Sequence, residues 1–340
     1  MRLAMDDAMP KVSVIVLTYN QEDTIGEALD SILAQETPFP FEIVVSDDCS
    51  YDSTPRICRD YADFYPGRIR FRQTPRNLGL VANYYDTLKL CRGEYIADCA
   101  GDDRWTDPLK LFKEAELLNR HPEVSLVHTG WHWLDNATGR RSPGNPDAAS
   151  DPALIPVTPA GGLVTPLLDR QGKPLVHSCT AMYRKEPAMA AYTAYPDLFQ
   201  ADWLPCEDLQ LMCALAASGA VAYLPESTLD YRIGGDTASG AKDLAKSFDF
   251  TLASLRLRLR IAETFGISRQ QFSEGTARML SYLFGISFVE NYHARRDKLL
   301  GFCREEGLDI PVRERMMMKI QGIGPLRAIV AALRRRGLPR

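Results

Sequence analysis

The sequence predicts an α/β fold: a single, mostly parallel sheet flanked by helices, followed by a helical C-terminal extension. Three observations predict it. Five strand patterns alternate with four helical ones between residues 12 and 128, which implies parallel pairing through right-handed crossovers. The first two strand patterns run almost continuously apolar, as strands buried on both faces must. After Ala241 the pattern turns helical and Arg-rich.

Taken in order, VSVIVL (Val12–Leu17) is the first strand. TYNQED then leads into a helix whose apolar positions Ile25, Leu29, Ile32 and Leu33 recur at helical spacing. FEIVVS (Phe41–Ser46) is the second strand. DDCSYDST follows as a loop, with Ser53 or Thr54 as helix N-cap and Pro55 in the first turn of a helix reaching about Asp63. Arg68–Arg72 alternates as a shorter strand, and Leu80–Leu90 is helical, with Gly93 just beyond it. Tyr95–Cys99 is the fourth strand and AGDDRWTDP its loop. Pro108 opens a helix ending near Asn119, and Val124–His128 is the fifth strand. From Gly139 to about Pro174 the chain is rich in Pro, Gly and Asp and reads as one long loop. Strands around Cys179–Tyr183 and Val221–Leu224 enclose a helix over Asp208–Ser218. LRLRLRI (Leu255–Ile261) alternates as a strand would, but its flanks favour helix.

Composition excludes some classes. A net charge of −4 over 340 residues gives no electrostatic reason for a nucleic-acid partner. The eight cysteines are scattered, with no CxxC and no zinc-site spacing to histidine, and read as reduced core thiols of a cytoplasmic protein. No apolar run approaches the ~20 residues that span a bilayer, and the first ten residues lack a signal-peptide core. Residues 313–340 carry eight Lys or Arg against one Glu, with Leu326, Ile329, Val330 and Leu333 among them. They read equally as a helix lying on an anionic membrane surface and as a solvated terminal helix. His128 and His177 read as structural imidazoles beside strands. Trp131, His132 and Trp133 read either as core or as a face for a sugar ring.

The chemistry belongs at the carboxyl ends of the parallel strands, where ligands of such sheets bind. Those ends carry Thr18-Tyr19-Asn20, Asp47-Asp48 and Gly101-Asp102-Asp103. Adjacent acids repel. A divalent cation relieves the repulsion; oxygen ligands suit Mg²⁺ or Mn²⁺, and such a cation commonly holds a diphosphate. The competing reading of GDD is a pair of loop acids at the head of the next helix.

The stretches VSVIVLTYNQEDTIGEALDSILAQ, FEIVVSDDCSYDST, RNLGLVANYYDTLKLCRGEYIADCAGDDRW, CEDLQLMCALAASG and LDYRIGGDTASG together resemble family 2 glycosyltransferases with the GT-A fold, over roughly residues 11–240. The resemblance implies a glycosyltransferase domain over 11–240. Residues 11–130 would be its nucleotide-sugar half and 131–240 its acceptor half, with 241–340 as the helical extension. It implies that Thr18, Tyr19, Asn20 and Glu22 line the nucleotide pocket, that Asp48 accepts a hydrogen bond from the base, and that Arg76 and Asn83 lie near the diphosphate. Asp102 would face the ribose, Asp103 would hold the metal, and Asp208 would be the general base, with Glu207 as its competitor. Two positions depart from the family pattern: Ala100 stands where a further acid is common, and Gly234 where a histidine is. The implied activity is an inverting transfer from a nucleoside diphosphate sugar to a glycan or lipid-linked glycan. The implied setting is bacterial surface-polysaccharide synthesis, in the cytoplasm or at the inner face of the membrane. A non-catalytic sugar-nucleotide-binding relative is the alternative.

Overall fold

The computed structural model describes residues 9–145, 148–170, 174–234, 243–289 and 292–321. Its first half follows the alternation: β1 (Val12–Thr18), α1 (Ile25–Leu33), β2 (Phe41–Asp47), α2 (Thr54–Phe64), β3 (Ile69–Gln73), α3 (Leu80–Leu90), β4 (Tyr95–Asp98), a two-residue β5 (Arg104–Trp105), α4 (Lys110–Arg120) and β6 (Val124–Asp135). The helices form because their apolar residues fall on one side: Ile25, Ala28, Leu29 and Ile32 of α1 are all buried against the sheet core. Glu42 stands among the apolar residues that begin β2. Burial raises its carboxyl, but hydrogen bonds from Ser13 and Arg92 outweigh that and hold it below the usual range. At the head of α2 neither Ser53 nor Thr54 caps with its side chain. Asp52 takes the role, accepting from Thr54 N at 2.9 Å.

The second half is β7 (Arg141–Pro143), β8 (Val157–Thr158), α5 (Val164–Asp169), β9 (Ala181–Arg184), α6 (Lys185–Ala194), α7 (Pro196–Phe199), α8 (Asp208–Ser218) and β10 (Ala220–Ile233). The segment expected as one long loop therefore contains two short strands and a helix. The sheet order is β3-β2-β1-β4-β9-β6-β10-β5, with β7 on β6 and β8 on β10. β1, β2, β3 and β4 are parallel neighbours. β9 enters between β4 and β6 and runs against both, so β4 and β6 point the same way without touching. β6 and β10 are longer than expected and pair in parallel as far as Ile233 and Asp135. Trp131 and Trp133 therefore lie on a strand, not after one.

The chain divides into two compact units, Met1–Leu167 with Gly172–Gly235, and Leu168–Gln171 with Asp236–Arg340. The second contains α9 (Leu244–Thr264), α10 (Ser273–Val289), α11 (Tyr292–Glu305) and α12 (Val312–Gln321). LRLRLRI is helical, within α9. Leu255, Leu257, Leu259 and Ile261 are all buried, and at 3.6 residues per turn they fall on two opposite sides of the helix. A helix covered on both sides can read as an alternating strand. Among the described residues no helix is long and apolar enough to cross a membrane. Most of the basic tail, residues 322–340, lies outside the described residues.

Candidate active site

Parallel pairing sets the carboxyl ends of β2, β1 and β4 side by side. Asp48 N donates to Thr18 O at 2.9 Å and Gly101 N to Leu17 O at 3.0 Å, which ties the three loops together where they leave the sheet. Because β9 is antiparallel, its start reaches this edge and carries His177 and Cys179 with it. β10 brings Tyr231 and Arg232, and the head of α8 brings Glu207 and Asp208.

The first two loops fold on each other through left-handed turns at Asn20 (φ 52°) and Cys49 (φ 64°). Asn20 N donates to Ser50 Oγ at 2.8 Å and Tyr51 N to Asn20 Oδ1 at 3.0 Å. Ser53 N donates to Glu22 Oε2 at 2.9 Å. Asn20 and Glu22 thus brace the loop pair. Tyr19 is 45% exposed and meets the exposed Tyr51 edge to face at 6.3 Å. Thr18 is buried, and its hydroxyl packs against Gly101: a Cβ there would lie 2.9 Å from Thr18 Oγ1 and closer still to Gln21 Oε1. The GDD turn has room only for glycine at its first position.

Asp48 accepts from Leu78 N at 2.8 Å, Gly79 N at 2.9 Å and Thr74 Oγ1 at 3.2 Å. It pins the RNLG loop, whose Arg76 is exposed. Asn83 is buried, and its Oδ1 takes the Ser46 hydroxyl at 2.6 Å, so its carboxamide is committed to β2.

The GDD acids carry the strongest electrostatic stress. Burial pushes the Asp102 carboxyl up, and burial together with the charge of Asp102 pushes Asp103 up. Asp103 is 1% exposed; its Oδ1 accepts from Arg232 N at 3.1 Å, and its buried Oδ2 has no hydrogen-bond partner. A buried carboxylate oxygen without a partner is costly, and a divalent cation answers that deficit. Asp98, four residues before Asp102, takes no part: it accepts from Tyr84 OH at 3.0 Å and burial lifts it to about 7.

At the head of α8, burial and then the charge of Asp208 lift Glu207 to about 8. Its Oε2 is buried without a partner, and its carbonyl accepts from Tyr85 OH at 2.6 Å. Leu209 N donates to Asp208 Oδ1 at 2.7 Å. Tyr231 feels both acidic groups: its phenol is raised by burial and then by the charges of Asp103, Asp102, Cys179 and Asp208.

A family model described as glycosyl transferase family 2 matches residues 13–190, more than half of the chain. The chain belongs to that family. The Mycobacterium tuberculosis protein named "Uncharacterized protein Rv1520" is 38% identical over 224 residues, 65% of this chain and 58% of its own length. Among solved structures, S. aureus TarS 1-349 in complex with UDP aligns with a TM-score of 0.59 at 20% identity, over 95% of this chain and 88% of that one. The mannosyltransferase PcManGT from Pyrobaculum calidifontis, in complex with GDP-Man and Mn²⁺, aligns with a TM-score of 0.51 at 16% identity, over 96% and 87%. The fold of this family member is therefore GT-A.

Sequence reasoning missed two parts of the candidate site. Asp230, fully buried on β10, is held by Arg104 Nε at 3.0 Å and Arg141 Nε at 2.7 Å, which locks β5 and β7 against β10. An acid between Leu229 and Tyr231 gives no sign of partners so far away in sequence. His177 also has surroundings no spacing reveals: its ring lies 4.3 Å from that of Tyr231 and 6.0 Å from that of Trp131.

The buried imidazoles make stability depend on acid. Burial holds His128 down from 6.5 to about 3 and His177 down to about 4. A base depressed in the folded state favours folding above 6.5 and loses that contribution as pH falls through the folded value. The urea midpoint is therefore expected to drop between pH 6.5 and pH 4, and less steeply in His128→Leu. Equal slopes in the two proteins would refute a neutral, buried His128.

Proposed function

We propose that this chain transfers a sugar from a nucleoside diphosphate donor to a hydroxyl of a glycan or lipid-linked glycan, by one inverting displacement, in bacterial surface-polysaccharide synthesis. The observation that carries this reading is that two acidic groups, Asp102 with Asp103 from the GDD turn and Asp208 from the head of α8, both act electrostatically on the phenol of Tyr231. One group suits the donor's diphosphate and the other an incoming hydroxyl. The nucleotide ligands of the two solved neighbours support a nucleotide-sugar donor. The acceptor class and the setting follow the family resemblance.

Asp103, with Asp102 beside it, would hold Mg²⁺ or Mn²⁺; bound there, the cation neutralises charge on the leaving diphosphate. The rest falls to side chains. Tyr19, beside Tyr51, offers an open aromatic face on the nucleotide side, and Asp48 holds the loop that presents Arg76 to the phosphates. Asp208 accepts the proton of the acceptor hydroxyl as it attacks C1. Burial and the charge of Asp208 raise Glu207, which favours its neutral form and leaves Asp208 as the carboxylate that takes the proton. No covalent intermediate is required.

The test is a thermal-shift screen of UDP-, GDP- and dTDP-sugars with Mg²⁺ or Mn²⁺, followed by assay of nucleoside diphosphate release. One donor is expected to stabilise the protein by about 2.7 kcal/mol at a hundred times its Kd and to be turned over slowly to sugar and nucleoside diphosphate. Stabilisation without any release would favour the non-catalytic alternative, for which Ala100 and Gly234 argue. No stabilisation by any donor would end the proposal.

A further inference from the structure

The two departures from the family pattern leave Asp103 short of partners, and the structure places other donors beside it. One donor-type atom each of Asp103, His177 and Cys179 lies within 4.8 Å of the other two. Cys179 Sγ accepts from Ala100 N at 3.3 Å, so the sulfur lies over the position where the family resemblance expects a further carboxylate. Asp103 Oδ2 is the buried oxygen without a hydrogen-bond partner. Cys179 is fixed from behind, since its carbonyl accepts from Trp105 Nε1 at 3.0 Å. The His177 ring is fixed by Cys179 N, which donates to Nδ1 at 3.3 Å, and by the flanking Tyr231 and Trp131 rings.

We propose that Asp103, His177 and Cys179 form a mixed oxygen, nitrogen and sulfur site for a borderline divalent cation such as Co²⁺ or Zn²⁺, one that Mg²⁺ fills poorly. The inference deepens the proposed function, because it names the ligands and the cation class of the same site. The chemistry of the donor set carries the selectivity. A thiolate and an imidazole favour the later first-row dications, whereas Mg²⁺ demands oxygen ligands in near-octahedral array. Binding releases the thiol proton to solvent, since a coordinating thiol is deprotonated outright. Cys179 and His177 take the place of the carboxylate and the histidine that Ala100 and Gly234 lack, and the exchange of carboxylate for thiolate changes the preference of the site.

The experiment titrates metal-free protein with Co²⁺ in the absence of any donor and follows absorption. A sulfur-to-cobalt band in the near ultraviolet is expected. C179S should lose that band, and H177Q should weaken Co²⁺ binding by at least 10-fold. Both variants are checked for native circular dichroism. Two other cysteines, Cys49 and Cys206, are partly exposed, so the band counts as support only if C179S removes it. Should either variant fail to fold, a competition on protein carrying Cys49→Ser and Cys206→Ser decides: a 100-fold excess of Mg²⁺ leaves the near-ultraviolet band in place if the inference holds, and abolishes it if it does not. Co²⁺ binding without a sulfur band, or with equal affinity in both variants, overturns the site. If that happens while wild-type protein still releases nucleoside diphosphate from a donor, only this inference falls. If no donor binds or reacts with any cation, the proposed function falls instead.

Discussion

Asp208→Asn is expected to lower sugar transfer by about 10²–10⁴-fold while leaving donor binding within about twofold. The substitution is nearly isosteric and keeps an oxygen to accept from Leu209 N, a bond 2.7 Å long at the head of α8, so the helix start survives. What it removes is a carboxylate able to take a proton. Glu207→Gln is the informative comparison. Glu207 is held up to about 8 by burial and by the charge of Asp208, so at pH 7 most of it already resembles the neutral amide. Its replacement should cost transfer less than 10-fold, well short of the range for a lost base. Asp208→Asn should also lower the Glu207 carboxyl from its raised value, because the larger of the two charges that raise it is gone. Wild-type turnover in Asp208→Asn would remove that residue from the reaction. Loss of transfer in Glu207→Gln alone would hand the role to its neighbour.

The acids of this site were legible in sequence because parallel strands end at one edge, and polar residues at those ends stand out against apolar runs. Their division of labour was not. Asp48 spends its oxygens on Leu78, Gly79 and Thr74, and Asn83 spends its carboxamide on Ser46; both partnerships depend on how loops return, which no local pattern records. The fold shows the same contrast. The β1–β4 half follows from alternation of strand and helix. The insertion of β9 between β4 and β6 does not, since HSCTAMYR carries no mark of the strands it will join. β6 also outran its expected end at His128. The strand runs on through Gly130, where β10 comes close: a Cβ there would lie 3.2 Å from Pro225 O and from Ser227 Oγ, at an irregular step in the β6–β10 pairing. A strand glycine that marks close backbone approach is easily taken for a break.

Lys110→Met is expected to destabilise the folded state by about 3–5 kcal/mol, the usual cost of stranding one partner of a buried ion pair. Lys110 and Glu114 are both 0% exposed and meet at 2.6 Å, and the ammonium lies 4.7 Å from the centre of the Trp105 ring. Burial lifts Glu114 to about 7 even though the charge of Lys110 pulls it down. Without Lys110 that carboxyl rises further and folds best protonated. A group raised in the folded state contributes its full stability below its unfolded value of about 4.5 and loses it as pH rises through the folded value. The deficit of Lys110→Met in urea unfolding should therefore be small at pH 5 and largest at pH 9. Lys110→Met with Glu114→Leu should recover most of the lost stability, because an apolar pair of similar volume avoids the desolvation of two charges. Recovery of function is a separate matter. Trp105 donates to Cys179 O and its own N–H donates to Ser31 Oγ at 3.1 Å, so the cation beneath the indole helps hold the turn that carries Cys179 beside Asp103. A double variant that regains stability yet still binds Co²⁺ more weakly than wild type would show that the ion pair under Trp105 is kept for the placement of that turn. One that regains both would show that an apolar floor serves as well.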